Sequence, residues 1–144
     1  MGFLIDTCVW IDVENGRLSP ADVARLTHEE PVFLSPVTIA ELKLGAEVAG
    51  DPGVRQKRLA SFRKLTSRPV LPIEAGTAEV FGELAAAIKV SGRQHRYRTQ
   101  DLWLASQAIQ HSFGLLTRNR RDFEDIAGLD LVVYELTVRI PGVR

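Results

Sequence analysis

The sequence has a single cysteine, no net charge and no long apolar run, and each of these scarcities excludes a class of protein. Because Cys8 is alone, no disulfide can form within the chain, and we expect a reducing compartment, the cytoplasm. Lysine plus arginine number 18, as do aspartate plus glutamate, so no overall charge draws the protein to nucleic acid. No apolar stretch approaches the roughly 20 residues of a membrane span, and no secretion signal precedes the first apolar run.

Length and composition describe one ordinary globular unit. The chain has 144 residues, of which 45% are hydrophobic and 25% charged, and this composition argues against a disordered chain. A chain of this length can bury roughly two-thirds of its unfolded surface in one core. No linker, repeat or low-complexity segment divides it. We therefore expect a single domain over residues 1–136, followed by a short tail at 137–144.

Short apolar runs alternate with helical patterns along the chain. Each run is continuously apolar and is followed by polar or turn residues, which is typical of strands buried on both faces. Five such runs are present: Phe3–Ile5, Val32–Leu34, Val70–Ile73, Gly114–Thr117 and Leu131–Tyr134. Alternating strands and helices predict the α/β class, with a parallel sheet covered by helices on both faces.

Helix signals fill the gaps between these runs. Ser19 and Ser35 are each followed by proline, and a serine N-cap before a proline is a typical helix start. Further helices are predicted over 54–68, 76–92 and 99–114, and the last two end at or near a glycine.

Two polar residues at the ends of apolar runs are candidates for function. Asp6 directly follows the first run, and Thr117 ends the fourth. In open parallel α/β sheets, ligands bind beyond the carboxyl ends of the strands, at the point where the strand order switches. Asp6 is therefore predicted to lie where a functional group is expected.

Glu41 lies within an apolar stripe of the helix predicted to start near Pro36. Its same-face neighbours at helical spacing are Val37, Leu44 and Val48. A carboxylate in such a stripe is unfavourable unless an ion or a hydrogen-bonding partner satisfies it. A lysine or arginine partner, or extension of the side chain to the surface, would explain Glu41 without a metal.

Asp101 lies in the first turn of the last long helix. An acid there has an ordinary explanation, because it interacts favourably with the helix dipole by about 0.3–1 kcal/mol. The same face continues through Leu104, Ala105 and Ala108, however, so this side of the helix is predicted to pack inward. Asp101 would then point toward the ends of the strands.

The fourth polar cluster is TRNRRDF, which begins at Thr117. Asn119 could cap a short helix and Asp122 could pair with a nearby arginine, which would make the cluster purely structural. Oxygen ligands from several segments, with no cysteine or histidine among them, instead suit a hard cation, Mg²⁺ or Mn²⁺. Thr7 and Thr117 are predicted to orient the carboxylates. The three histidines show no metal-ligand spacing, and Cys8 is predicted to be a packing residue.

Four segments together resemble the motifs of the PIN-domain family. LIDTCVWID, SPVTIAELKLG, TQDLWLASQAI and GLLTRNRRDFEDIAGLDLV occur in the family's order and span most of the chain. Taken together they resemble the VapC-like toxins of bacterial and archaeal toxin–antitoxin pairs. The resemblance implies a three-layer α/β/α fold with a five-stranded parallel sheet, and an endoribonuclease that depends on Mg²⁺ or Mn²⁺.

The resemblance also implies the residues of the site and the partners. Asp6, Glu41 and Asp101 match the three core acids, which would bind the metal. The fourth acid of some relatives falls at Asn119, which weakens a second metal position unless Asp122 compensates. A homodimer, a small VapB-like antitoxin that neutralises it in a larger assembly, and an RNA substrate are the implied partners.

Basic residues near the predicted site suit an RNA backbone. Three groups are present: Arg93, Arg96 and Arg98 around Tyr97; Arg118, Arg120 and Arg121; and six basic residues from Arg55 to Arg68. The first two groups lie beside predicted acids and are interpreted as RNA-binding, with the tyrosine available for base stacking. The third group could equally be a solvated helix face.

Two other functions can be weighed against a nuclease. A catalytically inactive module that binds RNA or an antitoxin would not need Asp6, Glu41 and Asp101, so their presence argues against it. A receiver-like signalling domain is also a five-stranded α/β unit with an acidic Mg²⁺ pocket. It would need a phosphorylatable aspartate after the third run and a lysine after the fifth, whereas these runs end in LPIEAG and VVYEL.

Overall fold

In the computed structural model, residues 1–93 and 98–136 are described, and the tail predicted at 137–144 lies outside them. The strands in these segments are β1 (Phe3–Ile5), β2 (Val32–Phe33), β3 (Gly114–Thr117) and β4 (Asp130–Val133). The helices are α1 (Thr7–Glu14), α2 (Pro20–Leu26), α3 (Pro36–Glu47), α4 (Pro52–Leu65), α5 (Ala75–Val90), α6 (Thr99–His111) and α7 (Arg120–Phe123). None of the helices in the described segments is both long and apolar enough to traverse a bilayer.

Capping side chains fix where several helices begin. Ser19 Oγ accepts a hydrogen bond from Asp22 N at 3.0 Å, and Ser35 Oγ accepts one from Val37 N at 3.1 Å. The two predicted helix starts are thereby confirmed. Asp51 caps α4 in the same way. These bonds satisfy backbone N–H groups that have no acceptor inside the helix.

Helix α1 follows β1 without a loop. Asp6 makes this possible, because its carboxylate accepts a hydrogen bond from Thr7 N at 2.8 Å and so caps the helix directly at the strand end. This helix is absent from the sequence-based prediction. An acid that immediately follows a strand looks like a strand terminator in sequence, and its second role as an N-cap becomes visible only in the structure.

All four strands are parallel, in the order β2-β1-β3-β4. β1 pairs with β2 on one side and with β3 on the other, where Ile5 lies opposite Leu116. The chain therefore moves from β1 to one edge and later returns on the opposite side of β1. This reversal creates a crevice beyond the carboxyl ends of β1 and β3, where Asp6 and Thr117 lie.

The strand predicted at the third apolar run, Val70–Ile73, is wrong, because this segment forms only a single parallel bridge, between Leu34 and Val70. Leu34 N donates to Pro69 O at 2.9 Å, and Leu71 N donates to Leu34 O at 2.8 Å. Prolines at positions 69 and 72 flank this bridge, and proline has no backbone N–H with which to extend a ladder. The α/β class with a parallel sheet is confirmed, with four strands rather than five.

Apolar side chains pack on both faces of the sheet. Leu4 and Leu115 join the core on the face covered by α5 and α6. Ile5 and Leu116 join a second core, on the face covered by α1 and α2. Because side chains alternate across a strand, neighbouring residues of β1 and β3 supply both cores. The helices thus form a layer on each side of the sheet, as expected for a three-layer α/β/α unit.

Candidate active site

Asp6 is buried beyond the end of β1, and its carboxylate is held in one orientation. Thr117 Oγ1 donates a hydrogen bond to Oδ2 at 2.7 Å, and Thr7 N donates to Oδ1 at 2.8 Å. Burial raises the pKa of Asp6, so the loss of solvent outweighs these hydrogen bonds. Burial, with the nearby Asp6 charge, also raises the pKa of Cys8 to about 11, so its thiol stays protonated beside Asp6.

Glu41 approaches the same place from α3. The Thr7 hydroxyl lies 3.3 Å from Glu41 Oε1 and 3.1 Å from the Thr38 hydroxyl. Burial raises the pKa of Glu41, and the charge of Asp6 adds to the effect. Thr7 therefore touches both acids, through its backbone N–H and its hydroxyl respectively.

The apolar stripe predicted around Glu41 is buried only in part, because Val37 packs against the core whereas two of its members are exposed. Leu44 and Val48 are 63% and 69% exposed. The fully buried residues of α3 are instead Thr38 and Ala46. Glu41 is half-buried at the edge of that face. What distinguishes Glu41 is its proximity to another acid rather than its position within an apolar stripe.

Asp101 completes a third side of the crevice from the first turn of α6. The inward face predicted for this helix is confirmed, because Leu104, Ala105 and Ala108 are buried. Burial raises the pKa of Asp101 to about 7, and the charges of Asp122, Asp6 and Glu41 contribute in the same direction. A carboxyl group with this pKa is only partly ionised at neutral pH. The site therefore holds more negative charge than it can easily accommodate without a cation.

Asn119 and Asp122 take different positions in the fourth cluster. Asn119 is the N-cap residue of α7, but its exposed side chain makes no capping hydrogen bond, and its backbone N donates to Thr117 Oγ1 at 3.0 Å. Asp122 is half-buried, and its charge raises the pKa of both Asp6 and Asp101. The structure thus brings Asp122 into electrostatic contact with the other acids, whereas Asn119 supports the hydroxyl that holds Asp6.

The donor set of these four acids suits a hard divalent cation. Within residues 1–93 and 98–136, no ion pair includes Asp6, Glu41, Asp101 or Asp122. In the same segments, no three acidic, histidine or cysteine side chains stand close enough together to coordinate one ion as they are. The four acids offer oxygen ligands, and a cation would stabilise the ionised forms of Asp6, Glu41 and Asp101, which burial chiefly disfavours and neighbouring acids disfavour further. The residues therefore fit Mg²⁺ or Mn²⁺ by chemistry and charge.

Asp12 is a fully buried acid of α1 that has no place in the predicted site. Arg118 Nη1 donates to its two carboxylate oxygens at 2.9 and 3.1 Å, and Tyr134 OH donates to Oδ2 at 2.7 Å. Arg118, predicted to bind RNA, therefore ties α1 to the end of β3. An acid inside the apolar segment VWIDV was the available sequence signal for this buried cluster.

The remaining residues predicted to bind RNA also divide into groups. Arg93 and Arg98 pair with Asp125, a residue that has no role in the sequence-based site. Arg120 and Arg121 are exposed at the start of α7. Arg96 and Tyr97 lie outside the described residues.

A groove with a volume of about 680 Å³ lies between α1, α3 and α4 and reaches the acidic site. Thr7 and Glu41 line it, as do apolar side chains that include Ile11 and Phe62. Its α4 side is basic, through Arg58, Lys64 and Arg68. Helix α4 packs against α3, its Leu65 contacts the core that includes Val9 and Trp10, and its Phe62 lines the groove.

Comparison with known proteins identifies the family. Residues 3–129 match the PIN domain. The chain is 30% identical over 133 residues to ribonuclease VapC1 of Rickettsia felis, a match that covers 92% of this chain and 96% of that protein. It is 32% identical over 127 residues to ribonuclease VapC5 of Mycobacterium tuberculosis, covering 88% and 87% respectively. The chain therefore belongs to the PIN-domain family. Within that family it is similar to the VapC ribonucleases.

A solved structure shows the same architecture. VapBC-1 from nontypeable Haemophilus influenzae is similar with a TM-score of 0.77 and 26% sequence identity, over 92% of this chain and 98% of that chain. The similarity confirms the α/β fold with a parallel sheet and helices on both sides.

Proposed function

We propose that this chain is the toxin of a toxin–antitoxin pair and hydrolyses RNA phosphodiester bonds with Mg²⁺ or Mn²⁺ at Asp6, Glu41, Asp101 and Asp122. The observation that carries the proposal is that acids from the end of β1, from α3 and from α6 interact at one site, where burial first and neighbouring acidic charges second raise the pKa of Asp6, Glu41 and Asp101. Mutual repulsion of this kind destabilises a metal-free fold, and it is characteristic of functional sites.

Asp6, Glu41 and Asp101 would hold the metal ion. When bound, the ion supplies Lewis acidity at the phosphate and lowers the pKa of a coordinated water. The Thr117 hydroxyl and the Thr7 N–H keep the Asp6 carboxylate in one orientation. Such outer contacts commonly change metal affinity by about 10–100-fold. Thr7 and Thr117 are therefore assigned as supporting residues.

We assign the fourth acidic position to Asp122 rather than to Asn119. The charge of Asp122 is the largest charge contribution to the raised pKa of Asp101. Asn119 carries no charge, and its side chain is exposed. Asp122 can therefore supply the negative charge that an asparagine cannot, while Asn119 acts on the site through Thr117.

Exposed arginines beside the site would contact the RNA backbone. Phosphates attract basic side chains, and such contacts provide most of the sequence-independent affinity for nucleic acid. Arg120 and Arg121 are the strongest candidates, because Arg93, Arg98 and Arg118 are paired with acids. We place this reaction in the cytoplasm, where a lone cysteine stays reduced.

The purified chain should cut RNA when Mg²⁺ or Mn²⁺ is present and should stop when EDTA removes the metal. Zn²⁺ should not substitute, because the four acids offer only oxygen ligands and the Cys8 thiol beside Asp6 stays protonated, its pKa being raised to about 11. Sequencing the 5′ ends of the cleaved RNA measures the activity and maps the bonds that are cut. Cleavage that persists in EDTA, or a tight stoichiometric Zn²⁺ site found by calorimetry, would contradict the proposal. No cleavage of any RNA would favour the inactive binding module.

We further propose that the chain forms a homodimer and that a small VapB-like antitoxin neutralises it in a larger assembly. The family resemblance implies these partners, and the groove between α1, α3 and α4 offers an open apolar surface that reaches Glu41. An antitoxin segment lying in this groove could place a basic side chain among the carboxylates. Such a contact would block the site and neutralise its charge.

Ile11→Asp should weaken neutralisation by the antitoxin. Ile11 lines the groove and is 40% exposed, so a charge there opposes an apolar partner without disturbing the core. Growth arrest should then persist when this variant is co-expressed with the neighbouring small open reading frame. The matched control is Leu44→Asp, since Leu44 is exposed on α3 outside the groove lining. Full neutralisation of both variants would place the antitoxin elsewhere.

A further inference from the structure

We propose that Arg98 is a positioning residue for the acidic site, which through Asp125 fixes Asp122 relative to Asp101. This inference rests on the proposed ribonuclease site, because it assigns Arg98 to the arrangement of the metal-binding acids instead of to the RNA. It also gives a role to Asp125, which no sequence motif suggested.

Arg98 and Asp125 form a two-pronged ion pair. Arg98 Nη1 donates to Asp125 Oδ2 at 2.6 Å, and Nη2 donates to Oδ1 at 2.7 Å. Only 17% and 19% of the two side chains are exposed. Two parallel hydrogen bonds from a planar guanidinium fix both the orientation and the distance of the carboxylate. A lysine, or a single hydrogen bond, fixes only the distance.

The same guanidinium connects the two helices that carry acids. Arg98 immediately precedes α6, and Asp101 lies in the first turn of that helix. Arg98 Nη2 also donates to the backbone carbonyl of Asp122, in α7, at 2.6 Å. One side chain therefore ties the start of α6 to α7 close to the acid that each helix contributes.

Arg98 is also the positive charge between two acidic segments. Its guanidinium bonds both the carboxylate of Asp125 and the backbone carbonyl of Asp122, and Asp101 lies three residues after it in α6. Without Arg98, the two negatively charged segments would have less to hold them together. Arg98 thus links α6 to α7 and also partly neutralises the negative charge of the acids near these helices.

These contacts leave Arg98 little capacity for an RNA phosphate. Its two terminal nitrogens are used within the protein, and a phosphate would have to displace the carboxylate of Asp125. Breaking a largely buried ion pair in this way is unfavourable. Arg121, by contrast, is exposed on α7. The two arginines should therefore respond differently to replacement.

The test compares Arg98→Gln, Asp125→Asn and the double variant with Arg121→Gln, all in the full chain. Three quantities are measured: the Mg²⁺ concentration for half-maximal RNA cleavage, the rise in Tm caused by Mg²⁺, and RNA binding in EDTA. Each single variant of the pair should raise the required Mg²⁺ concentration about tenfold and reduce the rise in Tm. RNA binding in EDTA should stay within about twofold of wild type, since phosphate contacts are unaffected. The double variant should lose less than the sum of the two single variants, because the Arg98–Asp125 ion pair is common to both, although Asp125→Asn also weakens the pair with Arg93 and only Arg98→Gln removes the bond to Asp122 O.

Asp125→Asn is the decisive variant, because a carboxylate does not bind a phosphate and asparagine keeps its size. Arg121→Gln should show the opposite pattern, with weaker RNA binding and an unchanged Mg²⁺ requirement. If Arg98→Gln weakens RNA binding in EDTA while Asp125→Asn does not, Arg98 is an RNA contact and the inference is overturned. The inference is also overturned if the wild type requires Mg²⁺ and both Arg98→Gln and Asp125→Asn need the same Mg²⁺ concentration as the wild type. If RNA cleavage by the wild type does not depend on Mg²⁺, the proposed function is overturned, and this inference with it.

Discussion

Replacing Asp6 with asparagine should reduce RNA cleavage to the level of a protein-free control, while the metal-free fold becomes no less stable. Asp6 is a buried carboxylate that forms no ion pair within the described residues, and its charge raises the pKa of Glu41 and Asp101. At an effective dielectric constant of about 20, two such charges 4 Å apart repel by roughly 4 kcal/mol. Asparagine removes the charge, keeps one oxygen that can accept the hydrogen bond from Thr7 N, and places an NH2 group that can donate to the Thr117 hydroxyl at the other oxygen position. The loss of function should therefore come without a loss of fold.

The same substitution should reduce the stabilisation that Mg²⁺ gives the wild type. A ligand that binds only the folded state raises its stability in proportion to its affinity, so a weaker site gives a smaller rise in Tm. Melting curves with and without Mg²⁺, beside a cleavage assay, measure both effects. A variant that cuts RNA at the wild-type rate would end the hypothesis.

Asp12→Asn is the matched control for this prediction, since it makes the same chemical change six residues further along. The carboxylate of Asp12 accepts hydrogen bonds from Arg118 and Tyr134. Removing its charge weakens bonds of a type that contribute about 1.5–3 kcal/mol each. Asp12→Asn should therefore lower the Tm, in contrast to Asp6→Asn. If both variants lowered the Tm equally, Asp6 would be an ordinary structural acid.

The sequence predicts the parts of this site that depend on local pattern. A short apolar run followed by an acid predicts a carboxylate at a strand end, and the parallel α/β pattern predicts that strand ends lie together. Asp6 and Thr117 are in fact joined by a hydrogen bond across β1 and β3. The inward face of α6 follows equally from the spacing of Leu104, Ala105 and Ala108.

Partners that depend on tertiary proximity could not be read from the sequence. Arg98 and Arg118 lie beside predicted acids in sequence, which favoured an RNA-binding role, yet each is paired with an acid at least 27 positions away. The strand predicted at Val70–Ile73 was wrong for a related reason. Its apolar composition is right, but the flanking prolines limit it to one bridge with Leu34. Composition predicts burial, whereas hydrogen-bonding capacity decides whether a buried segment joins a sheet.

Lowering the pH from 8 to 5 should stabilise the metal-free protein, which is unusual for a chain with many acids. Burial and neighbouring charges raise the pKa of Asp101 to about 7 in the folded state. In the unfolded chain its pKa returns to about 4. Between these values the folded state binds the additional proton, so the stability is greatest at low pH and is lost as the pH rises through about 7. The pKa values of Asp6 and Glu41 are raised too, so they act in the same direction.

Over this range the Asp101 effect corresponds to about 2–3 kcal/mol, at 1.36 kcal/mol for each pH unit. For a chain of this length the Tm should rise by roughly 5–10 °C. Melting curves in EDTA between pH 5 and 8 measure it, and Asp101→Asn should flatten most of the slope. Saturating Mg²⁺ should reverse the trend, because a metal ion competes with protons for the same carboxylates and binds better at higher pH. If the Tm of the metal-free wild type is constant or falls toward pH 5, the pKa of Asp101 is not raised in the folded state. The proposed cluster of repelling acids would then have to be abandoned.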